Sequence, residues 1–250
     1  MLILVHVWPA AAEPDKRRQV PDLLAKGGEL LDRREVWLNR RGMRNYMLQI
    51  YGHQQWSGNF RNHFRGVWAK VDGCYAPYLP LELFTVRVES LGQALALKTQ
   101  LRELFALGKH SVHMTDSEAE TAYCQAILRT QRRVDFLNQA DPDRYRCFTR
   151  RIERLERDLK RAGVDRREVV VCSRAVFALM GERRVRQLSW IASRSLPPWL
   201  NRRNDHEFEP LPPQRRRALL DSAELLIFHG IRFVPPDLLP DAAAQEDAEA

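Results

Sequence analysis

The run from Leu81 to Thr130 constrains the fold more than any other stretch, because strand and helix periodicities follow one another in it without a gap. Phe84, Val86 and Val88 alternate, which predicts a strand over 81–89. Leu91, Leu95, Leu101, Leu104 and Phe105 then share one side of a helix over 91–107, and Gly108 ends it. Ser117 with Glu120 has capping-box spacing, as does Thr115 with Glu118. Ala119, Ala122, Tyr123, Ala126 and Ile127 carry a second helix over 117–131. Strand, helix, connecting segment and helix form one α/β unit.

The connecting segment, Gly108 to Ser117, is where chemistry concentrates. His110, His113, Thr115 and Asp116 lie just before a helix N-terminus, where free backbone N–H groups and the positive end of the dipole suit a phosphate. His113 beside Thr115 and Asp116 has the residue types of a nucleophile or an acid–base pair. The same residues also allow a purely structural reading. Val112 and Met114 then form a short buried strand, His113 turns to its other side, and 115–117 only cap the helix.

A second polar stretch precedes the unit. Tyr51 to Phe60, followed by Arg61, His63, Arg65 and Lys70, interleaves aromatics, glycines and bases with neither period. Trp56 can stack a base, and Asn59 and Arg61 can hold a phosphate. A surface loop pinned by Trp56 and Phe60 in the core is the alternative. Residues 1–50 read as a mainly helical N-terminal segment, with Leu30, Leu31, Val36, Leu38, Met43, Met47, Leu48 and Tyr51 interspersed with Arg over 29–51. Residues 2–8 read as a buried strand, a leader or an irregular start.

Beyond a linker at 138–143, Tyr145, Phe148, Ile152, Leu155 and Leu159 make one apolar helix stripe, stopped by Gly163. A strand at 168–173, a short helix at 174–180 and a strand at 187–191 follow. Leu225 to Val234 reads as a hairpin turning at His229-Gly230. Residues 237–250 carry five acids and no base, the composition of a disordered tail. The four cysteines are widely spaced, form no metal-type pair and read as reduced cytoplasmic thiols. No run approaches the ~20 apolar residues that cross a bilayer, so no membrane partner is expected. The net charge of +8 favours acidic partners.

Two stretches resemble known families. His110-Ser111-Val112-His113-Met114-Thr115-Asp116-Ser117 is similar to the Asn-x-x-His-Gly-Ser-Asp-Ser segment of nucleoside diphosphate kinases. The likeness places His113 at the phosphorylated histidine and Arg102 where that family has a phosphate-binding arginine. The order from Val169 to Ile191 resembles DNA-polymerase-β-type nucleotidyltransferases. Ser173 stands at their Gly-Ser turn, and Gly181 and Arg183 stand in the Tyr-Gly-x-Arg stretch. Gln187 and Ser189 occupy the positions of the two metal-binding aspartates, so Mg²⁺ is not expected there. Asp205, Glu207 and Glu209 lie where a third carboxylate could be.

From about residue 50 onward the chain also resembles a family of uncharacterised bacterial proteins, some linked to surface-polysaccharide loci. The matches in order are Tyr51…Trp56-Ser57-Gly58, Gly108 to His113, Asp116, Phe136-Leu137-Asn138 and the 169–191 core.

The sequence therefore sets out an α/β (α+β) protein. An N-terminal α/β domain over 51–140 carries the histidine segment, and 141–236 holds a helix and a small mixed-sheet, nucleotidyltransferase-like domain. The resemblances imply a degenerate enzyme that binds a nucleotide or sugar phosphate, with no assigned cofactor. Trp56, Asn59, Arg61, Arg102, His110, Thr115, Ser173 and Arg183 are the expected ligand contacts, and His113 and Asp116 the catalytic candidates. The alternatives are an active phosphotransferase or transferase centred on His113, and a basic protein binding nucleic acid nonspecifically. A protein partner is a further expectation.

Overall fold

Ile3, Val5 and Val7 leave the first strand on one side while Leu4 and His6 leave on the other, and this alternation organises the N-terminal unit. The computed structural model describes residues 1–141, 144, 146–172, 174–180, 188–193, 195–202, 204, 212–222 and 224–239. The chain divides into two units, Met1–Asn138 and Gln139–Ala250.

In the first unit the order is β1 (Leu2–Val7), α1 (Pro14–Gly27), β2 (Glu29–Val36), α2 (Arg40–Tyr51), α3 (Arg65–Cys74), β3 (Leu81–Arg87), α4 (Leu91–Phe105), β4 (Val112–Met114), α5 (Glu118–Ile127) and α6 (Gln131–Gln139). The sheet order is β2-β3-β1-β4, antiparallel at each pairing. Each helical crossover therefore skips a strand, the split βαβ arrangement, with α2 and α3 inserted between β2 and β3.

One face of this sheet is apolar. Ile3, Val5, Val7, Phe84, Val86, Val112 and Met114 pack on Val20 and Leu24 of α1 and on Ala94, Leu97, Leu101 and Phe105 of α4. At its rim Glu82 is nearly enclosed and meets Arg17 of α1 at 3.3 Å and Arg33 of β2 at 3.2 Å. Removing one partner of such a buried pair costs about 3–5 kcal/mol. The opposite face carries the sheet's buried polar groups, set among Leu4 and Leu83. His6 Nε2 lies 2.6 Å from the Tyr46 hydroxyl of α2. Gln125 of α5 donates to the Thr85 hydroxyl at 3.0 Å, and Thr121 donates to the Leu2 carbonyl at 3.1 Å.

Residues 1–50 are not the helical segment expected from the sequence; they supply two strands of the sheet as well as α1 and most of α2. The error centred on β2. This strand pairs only with β3, is exposed along most of its length, and shifts register between Leu30 and Asp32. An edge strand carrying charges and a bulge shows no alternation to read. Residues 2–8, left open above, form a buried strand and its following residue.

The second unit runs α7 (Arg146–Arg161), β5 (Val169–Cys172), α8 (Arg174–Ala178), β6 (Ser189–Ala192), α9 (Pro198–Asn201), α10 (Pro213–Leu220), β7 (Leu226–Phe228) and β8 (Ile231–Phe233). The predicted stripe of α7 is buried through Phe148, Ile152, Leu155 and Leu159. The mixed sheet has the order β6-β5-β8-β7, with β5 parallel to β8 and the other pairs antiparallel. His229 and Gly230 both have positive φ (52° and 76°), as the two-residue hairpin turn demands. Two mixed α/β units thus carry the expected fold class. Ser173, Arg183, Gln187, Asp205, Glu207, Glu209 and residues 240–250 lie outside the described residues, whereas the first residues of the expected tail are structured: Pro236–Leu238 form a helical turn, and Leu238 and Leu239 pack on the core.

Candidate functional site

The histidine segment enters the sheet as β4, antiparallel to β1, with Val112 and Met114 on the apolar face. His113 must then point to the opposite face. There its ring lies 5.0 Å from that of His6 and 5.3 Å, edge-on, from Tyr51. Behind β4 the chain turns into α5 through Ser117, whose hydroxyl accepts from Glu120 N at 3.1 Å. Glu120 reaches back to Asp116 N at 2.8 Å, one residue beyond a standard box. The 115/118 register is not used for capping: Glu118 accepts from Leu2 N at 3.0 Å instead.

A cleft of about 700 Å³ opens over His113. Tyr51, Gln54 and Trp56 form one wall and Gly66, Ala69 and Lys70 of α3 another. Lys98 and Arg102, one turn apart on α4, face them, and Lys109, His110, His113, Asp116 and Glu120 complete the lining. Lys70, Lys98, Arg102 and Lys109 thus share the cleft with two carboxylates, an excess of two positive charges before the histidines are counted. Lys98 pairs with Asp116 at 3.3 Å. Arg102 Nε is buried and has no hydrogen-bond partner among the described residues.

His113 is 9% exposed, enough to reach the cleft floor. Its Nε2 approaches Glu120 Oε1 to 3.4 Å. That is an electrostatic contact rather than a formed hydrogen bond, and Nε2 keeps no closer partner. Burial holds the His113 imidazole below the ordinary histidine range, against the pull of Glu120. Burial pushes the Glu120 carboxyl up, but its contacts with His113 and Asp116 N outweigh this and hold it below the usual carboxylate range. The resting pair is therefore a neutral imidazole beside a carboxylate. His6, fully enclosed behind it, is held well below the ordinary range by burial and then by His113.

His110 packs on α3 at Gly73, where any Cβ would run into its Nδ1, and that nitrogen lies 3.7 Å from Cys74 Sγ. Trp56 is 46% exposed at the cleft wall, with its ring 5.3 Å from Tyr51. It offers an open aromatic face instead of the core anchor that the sequence also allowed.

Of the residues singled out from the sequence, the fold brings Trp56, Arg102, His110, His113 and Asp116 to one cleft. Thr115 is not on it. That side chain is buried, accepts from Leu4 N at 2.8 Å and meets the Thr121 hydroxyl at 2.7 Å, so it ties β1 to α5. Asn59 and Arg61 sit in the adjacent turn, where Asn59 Oδ1 accepts from Arg61 N at 2.9 Å, and they do not line the cleft. Sequence reasoning missed Lys98, Glu120 and Gln54 as cleft residues. The four-residue spacing of Lys98 and Arg102 was a usable signal, since it puts both on one side of α4.

In the second unit β5, α8 and β6 follow in the predicted order, and Cys172 pairs directly across from Ser189. Both are buried, and burial pushes the Cys172 thiol up to about 12. Among the described residues no group of three or more His, Cys, Asp or Glu side chains is placed to hold a metal ion. None of their helices is long and apolar enough to cross a membrane.

Comparison with protein-family models, curated proteins and solved structures gives no match to this chain.

Proposed function

We propose that the first unit binds a phosphate-bearing ligand, a nucleotide or sugar phosphate, in the cleft over His113. The carrying observation is the convergence of Lys70, Lys98, Arg102 and Lys109 on one cleft that also presents the open face of Trp56. Charge-assisted contacts contribute about 1.5–3 kcal/mol each, and stacking on an aromatic ring about 1–3 kcal/mol. Two contacts and one stack correspond to millimolar to micromolar binding. Titration of the full chain with pyrophosphate, uridine diphosphate and glucose 1-phosphate, followed by tryptophan fluorescence and calorimetry, tests this. Arg102→Ala is expected to weaken binding about tenfold or more. Saturable binding by none of the three ligands ends the reading.

For the second unit the proposal is a nucleotidyltransferase-like core that no longer performs metal-dependent transfer. The strand–helix–strand order and the serine at position 189, where the resembled family has a carboxylate, support it. Incubation with labelled nucleotides, Mg²⁺ and candidate acceptors is expected to give no transfer. Transfer that disappears in Ser173→Ala would reverse the conclusion.

One observation favours a second reading, a transferase centred on His113. A neutral imidazole 3.4 Å from a carboxylate, on the floor of a cationic cleft, has the arrangement of an oriented base. The binding titrations distinguish the readings when run with nucleoside triphosphates: turnover lost in His113→Gln selects the transferase.

A further inference from the structure

Lys70 differs from Lys98 in what holds it. Lys98 is paired with Asp116, and Asp72, the acid nearest to Lys70 on α3, is taken by Arg40. Glu120 is engaged by Asp116 N and His113. Lys70 Nζ instead donates to the carbonyl of Lys109, a neutral acceptor. It lies part-buried beside the Cys74 thiol, with Lys109 and Arg102 as neighbouring positive charges. An amine that has, among the described residues, no carboxylate paired with it, and that lies partly out of water and next to other cations, is the arrangement that makes a lysine nucleophilic. Burial, and then those two cations, hold it below the ordinary lysine range, while Cys74 pulls the other way. Cys74 does not compete: it is fully buried, and burial pushes its thiol up to about 11.

We propose that Lys70 is a nucleophilic amine and that the ligand of this cleft is a phosphate ester bearing an aldehyde or ketone, captured on Lys70 Nζ as a Schiff base. This rests on the phosphate-binding reading, because Arg102 and Lys109 place the phosphate while Lys70 meets the carbonyl. Nζ attacks the carbonyl carbon as a neutral amine. The C–N bond forms, the π pair moves to oxygen, and a proton passes from nitrogen to that oxygen to give a carbinolamine. A second proton transfer expels the oxygen as water, and the lone pair on nitrogen closes the C=N bond. One amine and one carbonyl give one imine and one water, with no oxidation or reduction. Two histidines held below their ordinary range, His110 and His113, line the same cleft and can relay these protons.

The test uses the full chain with pyridoxal phosphate and glyceraldehyde 3-phosphate as probes, trapping with cyanoborohydride, and peptide mapping by mass spectrometry. A single dominant adduct on Lys70 is expected, competed by pyrophosphate. Lys70→Arg, which keeps the charge and cannot form an imine, should lose it. Arg102→Ala should slow labelling by pyridoxal phosphate about tenfold and leave labelling by pyridoxal, which lacks the phosphate, nearly unchanged. Adducts spread over exposed lysines, with Lys70 no faster than Lys109, overturn the proposal. Pyrophosphate binding in calorimetry without a Lys70 adduct refutes the Schiff base alone. Absence of both binding and adduct refutes the phosphate cleft with it.

Discussion

His6 and His113 stand directly opposite one another in the β1–β4 ladder, with ring centroids 5.0 Å apart on the sheet face away from the apolar core. Two imidazoles this close and this buried cannot both carry a proton without strong repulsion. Both are held below the ordinary histidine range, by burial first. Unfolding returns them to about 6.5. The unfolded chain therefore binds more protons than the fold below that value, and stability falls as pH drops through it. Above it their contribution is fully present. Each histidine can steepen the dependence by about 1.4 kcal/mol per pH unit. Thermal melts between pH 7.5 and 5 are expected to show this loss, and His6→Gln with His113→Gln should flatten the profile. An unchanged slope in the double variant would place the acid sensitivity elsewhere.

Thr115 and His113 are two residues apart but belong to different tasks. The Thr115 hydroxyl supplies the acceptor for Leu4 N and meets Thr121 in a buried position. Thr115→Val should leave that backbone donor unsatisfied and destabilise the fold by about 1–3 kcal/mol. Ligand affinity at a temperature where the variant is folded should not change. Weakened pyrophosphate binding with an unaltered melting temperature would instead return Thr115 to the site.

Gly73 sets the position of His110. A Cβ there collides with the imidazole, which lies beside Cys74 and must shift to make room. Gly73→Ala lies in a helix, where alanine has the higher propensity by about 1 kcal/mol. The expectation is a melting temperature within a few degrees of the parent and a several-fold loss of anion affinity as His110 is pushed toward Lys109. Retained affinity would show that His110 plays no part in binding.

Where one sequence period dominated, the fold was legible. The alternation over β3 marked a strand that is buried on both faces, and the stripe of α7 is buried as read, but on α4 the face was misplaced: Leu91 and Leu95 are exposed, and Ala94 and Leu97 join Leu101 and Phe105 in the core. β2 was not legible, because an exposed, bulged edge strand has no face to mark. The cleft was half legible. His110, His113, Asp116 and Arg102 are close in sequence to the turn that assembles them, and residue chemistry pointed to them. Lys70 and Lys98 come from helices on two sides of the cleft, and only the crossover topology brings them together. Thr115 was misjudged because a hydroxyl that caps backbone donors and one that meets a ligand look alike in sequence. Its neighbour in space, Leu4 N, is 111 residues away.

The neutral state of His113 makes anion binding in the cleft proton-linked. In the free protein burial disfavours the imidazolium, while Glu120 and Asp116 favour it and Lys98 opposes it. From the surrounding elements the cleft presents Lys98 and Arg102 on α4, Lys70 on α3, Lys109 and His110 ahead of β4, and Asp116 and Glu120 at the start of α5, with His6 behind on β1. A phosphate seated among these cations brings negative charge close to His113 and favours its protonation. Affinity should therefore rise as pH falls from 8 to 6, with proton uptake on binding. Phosphate takes up protons over the same range, its second pKa being near 6, so the contribution of His113 must be read by difference. Calorimetry of pyrophosphate binding in buffers of different ionisation enthalpy gives the proton count for the parent and for His113→Gln. The parent should take up a fraction of a proton more than the variant near pH 7, and the gap should close at pH 8. Equal proton counts across the range would mean that the ligand sits too far from His113 to sense it, and the floor of the cleft would lose its assigned role.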